Sequence, residues 1–565
     1  MGWGAPGFVL ADTKREMAAA IVHDPALHPA SSSTLGLPLS LAQLRGVALA
    51  VVLVAAGFTR AGHLATYGFS EDEINKVHAV EEYREGRLGA NAEHPMLMKL
   101  AMWGSVALSE RWNAIATRER TISLESAIRL PNALAGAATT LLLFAIVELL
   151  FGAPAAFAAS ALWALDVNAI AISRIGKEDT FLLLFFLLAV WCYERAKRQG
   201  VTDPSGAQRW YAGSGAAFGL MLASKYMPGY LPIYALFNTI SDREPGANRP
   251  NRRWHFGAMA VVFGAANIAI FFPDTWRYCV AYVQGGMLVH HGNPYAGSLY
   301  VTNIPVSPLG MPATYYLRLI TTKVPLAVLG AAFAGGIELI RRRRERGFVL
   351  LRVLLLFLLV PYSLMAAKFI RYALPMFAVI DVMAGVGIVS GVTWLLRKSW
   401  LPRQTRIVTA SAATTLLVIG AVTAPASAAP YFSIFQNAIG ERVAPPAVTF
   451  PEETYDFGVR EAVSAIASAA APGALIVSDA PDVVAYYLKG STRPDLRVGS
   501  LSARGIPSHE PEVWVIVQEE HVTFENQLLI RQLRGATPWR EIAAGNARAA
   551  QVFRIERGLP CCAAS

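Results

Sequence analysis

Three acids stand side by side at Glu71-Asp72-Glu73, immediately after the first long apolar run of a 565-residue chain, and Glu93-His94-Pro95-Met96-Leu97-Met98-Lys99 follows them. Carboxylates are costly where they meet a membrane, so a tight group at such a boundary points to chemistry there, with proton abstraction the reaction a carboxylate performs most readily. Ser70-Glu71-Asp72-Glu73 also satisfies the Ser-x-x-Glu capping box, in which Glu73 reaches back to the Ser70 backbone N–H. Glu73 therefore has a structural duty open to it as well as a catalytic one, and the cluster as a whole can be read as a solvated helix N-terminus favoured by the macrodipole. Further charged groups recur at Ser173-Arg174, Lys177 and Glu178-Asp179, where the two acids can bind acceptor or sugar or merely pair with Arg174 and Lys177, and at Lys225, Lys368 and Arg371. Each cation has the alternative of snorkelling from a helix end.

The elements that must position these residues are membrane helices. The chain is 54% hydrophobic and only 16% charged, and its apolar runs reach the roughly 17–25 residues needed to cross a hydrocarbon core. Such runs lie at 41–58, 130–151, 154–172, 316–340, 348–367, 372–396 and 407–429, with shorter ones at 180–192, 211–223, 228–237 and 256–272. About eleven spans are expected. Arg195, Lys197 and Arg198, then Arg243 to Arg253, Arg341 to Arg346, and Arg397 to Arg406 fall in alternate loops, which the positive-inside rule assigns to the cytoplasm. The N-terminus is then cytoplasmic, and the acidic cluster and the tail after Ala429 face outward. The net charge of +10 resides mostly in these topology-setting loops, so nucleic acid is not an expected partner. Four cysteines make neither a disulfide framework nor a zinc site.

Residues 1–40 read as a cytoplasmic tail and 41–429 as the membrane domain, with long outer loops at 59–129 and 273–312. Residues 74–84 and 95–108 carry apolar positions at helical spacing among charges, which suits helices lying on the membrane surface. The second loop centres on Gly286 to Tyr295, including His290, His291, Asn293 and Tyr295. Two adjacent histidines without a third ligand are a weak metal signal. After Ala429 the composition changes: strands are expected near 474–477, 513–517 and 551–555, and helices over 457–469 and 524–533. Residues 430–565 thus read as a small soluble α/β domain outside the membrane, without a phosphate loop, metal pattern or nucleophile elbow, suited to support or recognition.

These pieces in this order resemble the membrane glycosyltransferases of the C-type (GT-C) superfold, in the branch of protein O-mannosyltransferases and lipid A aminoarabinose transferases. Asp72-Glu73 matches the family's Asp-Glu pair at the start of its first outer loop. His94-Pro95-Met96-Leu97-Met98-Lys99 is similar to His-Pro-Pro-Leu-Gly-Lys, from which Met96 and Met98 depart. Arg129-Leu130-Pro131, Ser173-Arg174 with Glu178-Asp179, and Lys368-Phe369-Ile370-Arg371-Tyr372-Ala373-Leu374-Pro375 resemble three later segments. The resemblance covers roughly residues 40–400.

It implies a polytopic α-helical enzyme of a prokaryotic inner membrane that takes a sugar from a polyprenyl-phosphate donor and passes it, with inversion, to a hydroxyl of a protein, lipid or glycan acceptor on the outer face. Asp72 is implied as the base, with Glu73 beside it, and Lys225, Lys368 and Arg371 as the cations for the donor phosphate. His94, Lys99, Arg174, Glu178, Asp179, His291, Asn293 and Tyr295 are the acceptor and sugar candidates. The lipid-linked sugar is a substrate, so no cofactor and no essential metal are expected. The competing reading is a glycolipid transporter or flippase. A transporter places ionisable groups near mid-span, whereas here they gather at outer ends.

Overall fold

The computed structural model describes residues 40–233, 236, 252–283, 292–301, 310–506 and 510–556. Residues 1–49 and 50–565 form separate compact units, and most of the first, together with His290 and His291, lies outside the described residues.

The chain is mostly helical. Helix α1 (Leu41–Ala61) is followed by α2 (Glu71–Arg84), α3 (Leu97–Asn113), α4 (Leu124–Phe151), α5 (Ala153–Leu165), α6 (Val167–Ser173), α7 (Asp179–Gln199) and α8 (Pro204–Ser224). Among the described residues five helices are long and apolar enough to cross a membrane: 42–61, 118–151, 346–364, 370–396 and 403–428. The pair α5 and α6, bent by 58° at Asp166, makes a sixth if it counts as one broken span. Asp166 causes the bend: its carboxylate accepts from Asn168 and Ala169 N–H, so it caps a new helix rather than continuing the old one. The expectation of eleven spans exceeds this number among the described residues, because other apolar runs fold as helices that are shorter, more polar or more charged, and 228–237 lies partly outside the described residues. Helix α7, for example, ends in Glu194, Arg195, Lys197 and Arg198.

Strands β3 (Leu475–Ser478), β4 (Arg497–Ser500) and β5 (Glu512–Val517) are mutually parallel, and β6 (Arg540–Ala544) and β7 (Ala547–Glu556) add an antiparallel edge. The five form one sheet in the order β4-β3-β5-β7-β6. Both β3 and β5 are buried along their whole length, which is why they read as continuous apolar runs rather than alternating ones. Three strands and the helices Val459–Ala469 and Gln527–Arg534 lie close to where the sequence places them; β4, β6 and the helix Pro481–Lys489 have weaker local signals and were not anticipated. A small hairpin, β1 (Asn293–Tyr295) with β2 (Ser298–Tyr300), turns at Ala296 and Gly297, both in the left-handed region.

One packing relation decides the architecture of the site. Phe69, Ile74, Val77 and Val80 of the α2 region, Met98, Met102 and Val106 of α3, and Ile476, Trp514 and Val552 of the sheet share a single apolar core. Burying such side chains contributes about 1.5–3 kcal/mol each. The two helices expected on the membrane surface therefore bury an apolar face in protein, against the C-terminal sheet and its helices.

Candidate active site

The loop from α1 to α2 is drawn tight by three arginines. Arg174 donates to the carbonyls of Gly62 and His63, Arg129 to those of Leu64, Tyr67 and Gly68, and Arg460 to those of Ala65 and Thr66. Every carbonyl from 62 to 68 is thus held by a guanidinium. Guanidinium donors suit this task because their fork serves two carbonyls at once. Arg174, an acceptor-site candidate in the sequence, commits its two terminal nitrogens here.

The capping box forms at the end of this loop, where Ser70 N–H donates to Glu73 Oε2 at 3.0 Å. Glu73 is fully buried, and Arg129 grips it bidentately at 2.7 and 2.6 Å while Gly176 N–H adds a bond of 2.9 Å. Its oxygens are committed to the fold, which leaves Asp72 as the member of the pair that faces solvent. Breaking a buried pair strands a charge, at a cost of about 3–5 kcal/mol. Glu73→Ala is accordingly expected to lower thermal stability in detergent by that amount, and an unchanged unfolding temperature would show the pair to be dispensable.

Asp72 points the other way. Its side chain is 42% exposed, onto a cavity of about 550 Å³ shared with Ser70, Asn293, Arg371, Tyr455, Ser500 and His521. Lys177 Nζ lies 2.6 Å from Asp72 Oδ2, and Arg371 Nη2 lies 3.9 Å from the same oxygen. Desolvation in the cavity works to raise the Asp72 pKa, but Lys177, Arg371 and Lys76 outweigh it and hold the carboxyl well below the usual carboxylate range. Asp72 is ionised at any working pH.

Behind it is a buried charged layer. Glu178 meets Lys76 at 2.8 Å, His94 at 3.6 Å and Lys177 at 3.9 Å, and Asp179 meets Lys225 at 2.6 Å. Lys76, Lys177, Lys225 and Arg371 face Asp72, Glu178 and Asp179 in this layer, while Glu71, Glu452, Asp456, Asp479, Glu520 and Glu525 add further acids to the cavity wall. Burial pushes His94 well below its ordinary pKa despite Glu178, so it is neutral. Arg371 stacks on Phe369 at 4.1 Å, and its buried Nε has no hydrogen-bond partner among the described residues. The arrangement can accept an anion beside a carboxylate.

The other candidates divide. Asn293 lines the cavity. Tyr295 is buried in a cluster with Tyr315 and Phe450, Lys99 donates to the carbonyls of Asn91 and His94 at 2.6 and 3.0 Å with burial lowering its pKa to about 7, and Lys368 turns to the carbonyls of Met311 and Met365. These three are engaged in the fold. His291 lies outside the described residues. Met96, where the resembling motif has proline, uses the N–H that proline lacks: it donates to Asn267 Oδ1 at 3.0 Å.

Lys76, Asp456 and His521 lie in no local pattern that points to a site, and Lys177 reads in the sequence only as a pairing partner for Glu178 and Asp179. Asp456, Glu520 and His521 bring ligand-type atoms within 4.8 Å of one another, a spacing a cation could use. Their atoms are already bonded together, however: His521 Nε2 meets Asp456 Oδ1 at 2.6 Å, and Asp456 N–H donates to Glu520 at 2.5 Å. Burial disfavours a charged His521, but Asp456 and Glu520 raise its pKa to about 10, so it serves as a cation itself.

The fold, with five helices among the described residues long and apolar enough to cross a membrane, is shared with two solved structures. The structure matches ArnT from Cupriavidus metallidurans in the apo state with a TM-score of 0.50 at 15% identity, covering 91% of this chain and 98% of that one. It matches the oligosaccharyltransferase AglB from Archaeoglobus fulgidus, in complex with an inhibitory peptide and a dolichol-phosphate, with a TM-score of 0.51 at 11% identity, covering 81% and 61%. Residues 121–272 match the model of the dolichyl-phosphate-mannose-protein mannosyltransferase family. YycA of Bacillus subtilis (strain 168), provisionally named a mannosyltransferase, is 34% identical over 116 residues, a segment making up 20% of this chain and 16% of that relative.

Proposed function

We propose that the protein is an inverting glycosyltransferase that takes a sugar from a polyprenyl-phosphate donor and transfers it to an acceptor hydroxyl on the outer face of a prokaryotic inner membrane. The observation that carries this reading is the placement of Asp72 at the wall of a polar cavity with Lys177 at 2.6 Å and Arg371 at 3.9 Å. The acceptor, a protein, lipid or glycan, enters through the cavity. Asp72 takes the proton of its hydroxyl as the oxygen attacks the anomeric carbon, the bond from that carbon to the phosphate oxygen breaks, and polyprenyl phosphate leaves with its electron pair. Lys177 and Arg371 stabilise the charge that develops on the phosphate, as preorganised cations in a partly dry site do. A dolichol-phosphate in the AglB complex accords with this donor class.

Asp72 and the donor phosphate compete for the same cations. Paired with Lys177 and Arg371, Asp72 is a weak base; a phosphate that draws these cations away leaves the carboxylate more basic at the moment it is needed.

The test uses the full chain in proteoliposomes with a radiolabelled polyprenyl-phosphate sugar and envelope extracts as acceptors. Label appearing in product with inverted configuration supports the reading. Donor crossing the bilayer intact, with no transfer, favours the flippase. The cationic work is assigned to side chains, so transfer is expected to persist within about twofold in EDTA; its abolition, with restoration by one divalent ion, would reverse that assignment.

A further inference from the structure

The segment 451–456 enters both halves of the site from the C-terminal side. Glu452 Oε1 accepts from the N–H of Ile370, at the start of the turn that carries Arg371, and from Tyr315 OH at 3.3 Å. Four residues later, Asp456 Oδ2 accepts from the N–H of Glu71 at 2.7 Å, in the first turn of the helix that carries Asp72. One short segment thus touches the backbone next to the base and next to the phosphate cation.

Its own conformation is fixed at some expense. Tyr455 and Asp456 have φ of 42° and 59°, a left-handed region that side chains other than glycine occupy only when the surroundings over-determine it. The surroundings do so here. Glu520 accepts from Thr454 Oγ1 and from Asp456 N–H, while His521 and Gln518 both meet Asp456 Oδ1, at 2.6 and 3.1 Å. The same side of the molecule also holds the approach to α2: Tyr487 OH accepts from Phe69 N–H at 2.7 Å, and Arg460 takes two carbonyls of the loop.

We propose that Asp456, held by His521, is a positioning residue that fixes the N-terminus of α2, and with it Asp72, relative to the Arg371 turn anchored by Glu452. The C-terminal domain is then a working part of the catalytic geometry. The inference rests on the glycosyltransferase reading above for its kinetic consequence, but its structural content stands apart from it.

The clean variant is Glu71→Pro. Proline is favoured at the first helical position and suits the extended Ser70 before it (φ −85°, ψ 165°), so α2 still forms while the N–H that Asp456 accepts is gone. Glu71→Ala loses the same side chain and keeps the N–H. Glu71→Pro is expected to lower kcat about 10- to 100-fold with the donor KM within about twofold, the range a small misplacement of a reacting group produces, and Glu71→Ala to stay within about threefold of wild type. Asp456→Ala should behave as Glu71→Pro does, Asp456→Asn should recover only part of the loss because one amide oxygen replaces two accepting carboxylate oxygens and its NH2 faces donors on one side, and Asp456→Ala with Asp72→Asn should be little worse than Asp72→Asn alone. Hydrogen exchange over residues 70–76 gives a readout without activity: it should quicken in Glu71→Pro and Asp456→Ala and not in Glu71→Ala. Equal kcat and equal exchange for Glu71→Pro and Glu71→Ala would overturn the positioning role. Full transfer by Asp72→Asn would instead overturn the glycosyltransferase assignment of the base, leaving the exchange result to decide the rest.

Discussion

Asp72→Asn is expected to cut sugar transfer by about 10²- to 10⁴-fold, the contribution of a well-placed general base, while leaving folding and donor binding intact. The carboxylate is the one member of the Glu71-Asp72-Glu73 cluster that combines an opening onto the cavity with two nearby cations. Asparagine keeps its size and can still accept a hydrogen bond from Lys177, so the fold loses little. What disappears is the ability to hold a proton at Oδ2. Donor binding, followed by protection from thermal unfolding, should if anything tighten, because Lys177 and Arg371 would no longer be shared with a competing carboxylate. Single-turnover transfer from a labelled donor measures the chemical step directly. A rate within threefold of wild type would remove Asp72 from the mechanism.

Lys177→Met should have the second-largest effect, with two separable parts. Loss of a preorganised cation at the leaving phosphate costs about 10²- to 10³-fold in kcat. The second part is a movement on the pH axis. In the free enzyme Lys177 is the nearest of the groups that depress the Asp72 pKa, so its removal lets that pKa rise toward the ordinary value of about 3.9. A carboxylate with a depressed pKa stays ionised until the pH falls through that depressed value; with the depression relieved, protonation sets in at higher pH. The acid limb of kcat/KM is therefore expected to move upward in Lys177→Met and to stay in place in Lys225→Met, whose ammonium pairs with Asp179. A lowered kcat without any movement of the acid limb would mean that Lys177 serves the phosphate alone.

What could be read in advance follows the distance over which each signal acts. The capping box is a four-residue pattern, and it formed as written at Ser70 and Glu73. Buried strands β3 and β5 announced themselves as apolar runs, while β4 and β6, more exposed and shorter in apolar content, did not. Pairings at long separation left no trace that one sequence can show. Arg129 was visible as a motif residue, but its partner Glu73 is 56 positions away. Asp456 meets Glu71 across 385 positions, from a segment whose composition advertises only a surface turn. Lys177 was noticed as a neighbour of Glu178, and only folding brings it to Asp72. Lys368 shows the converse: its place in a motif pointed to phosphate, and the backbone of Met311 and Met365 took it instead.

The arginine-bound loop before α2 has a consequence for how such a chain can vary. Connecting segments ordinarily absorb insertions and deletions because their backbone is answered by water. Between Gly62 and Gly68 the backbone is answered residue by residue, by guanidinium groups from three distant parts of the chain. Adding or removing one residue there would shift every later carbonyl out of its socket. Adding one would also turn the start of α2 by about 100°, carrying Asp72 toward the place where Arg129 waits for Glu73, and removing one would turn it the opposite way and set Ile74 there. The length of this loop is therefore as much a requirement of the chemistry as the identity of the acid that follows it, and the lineage that carries it is free to change its letters sooner than their number.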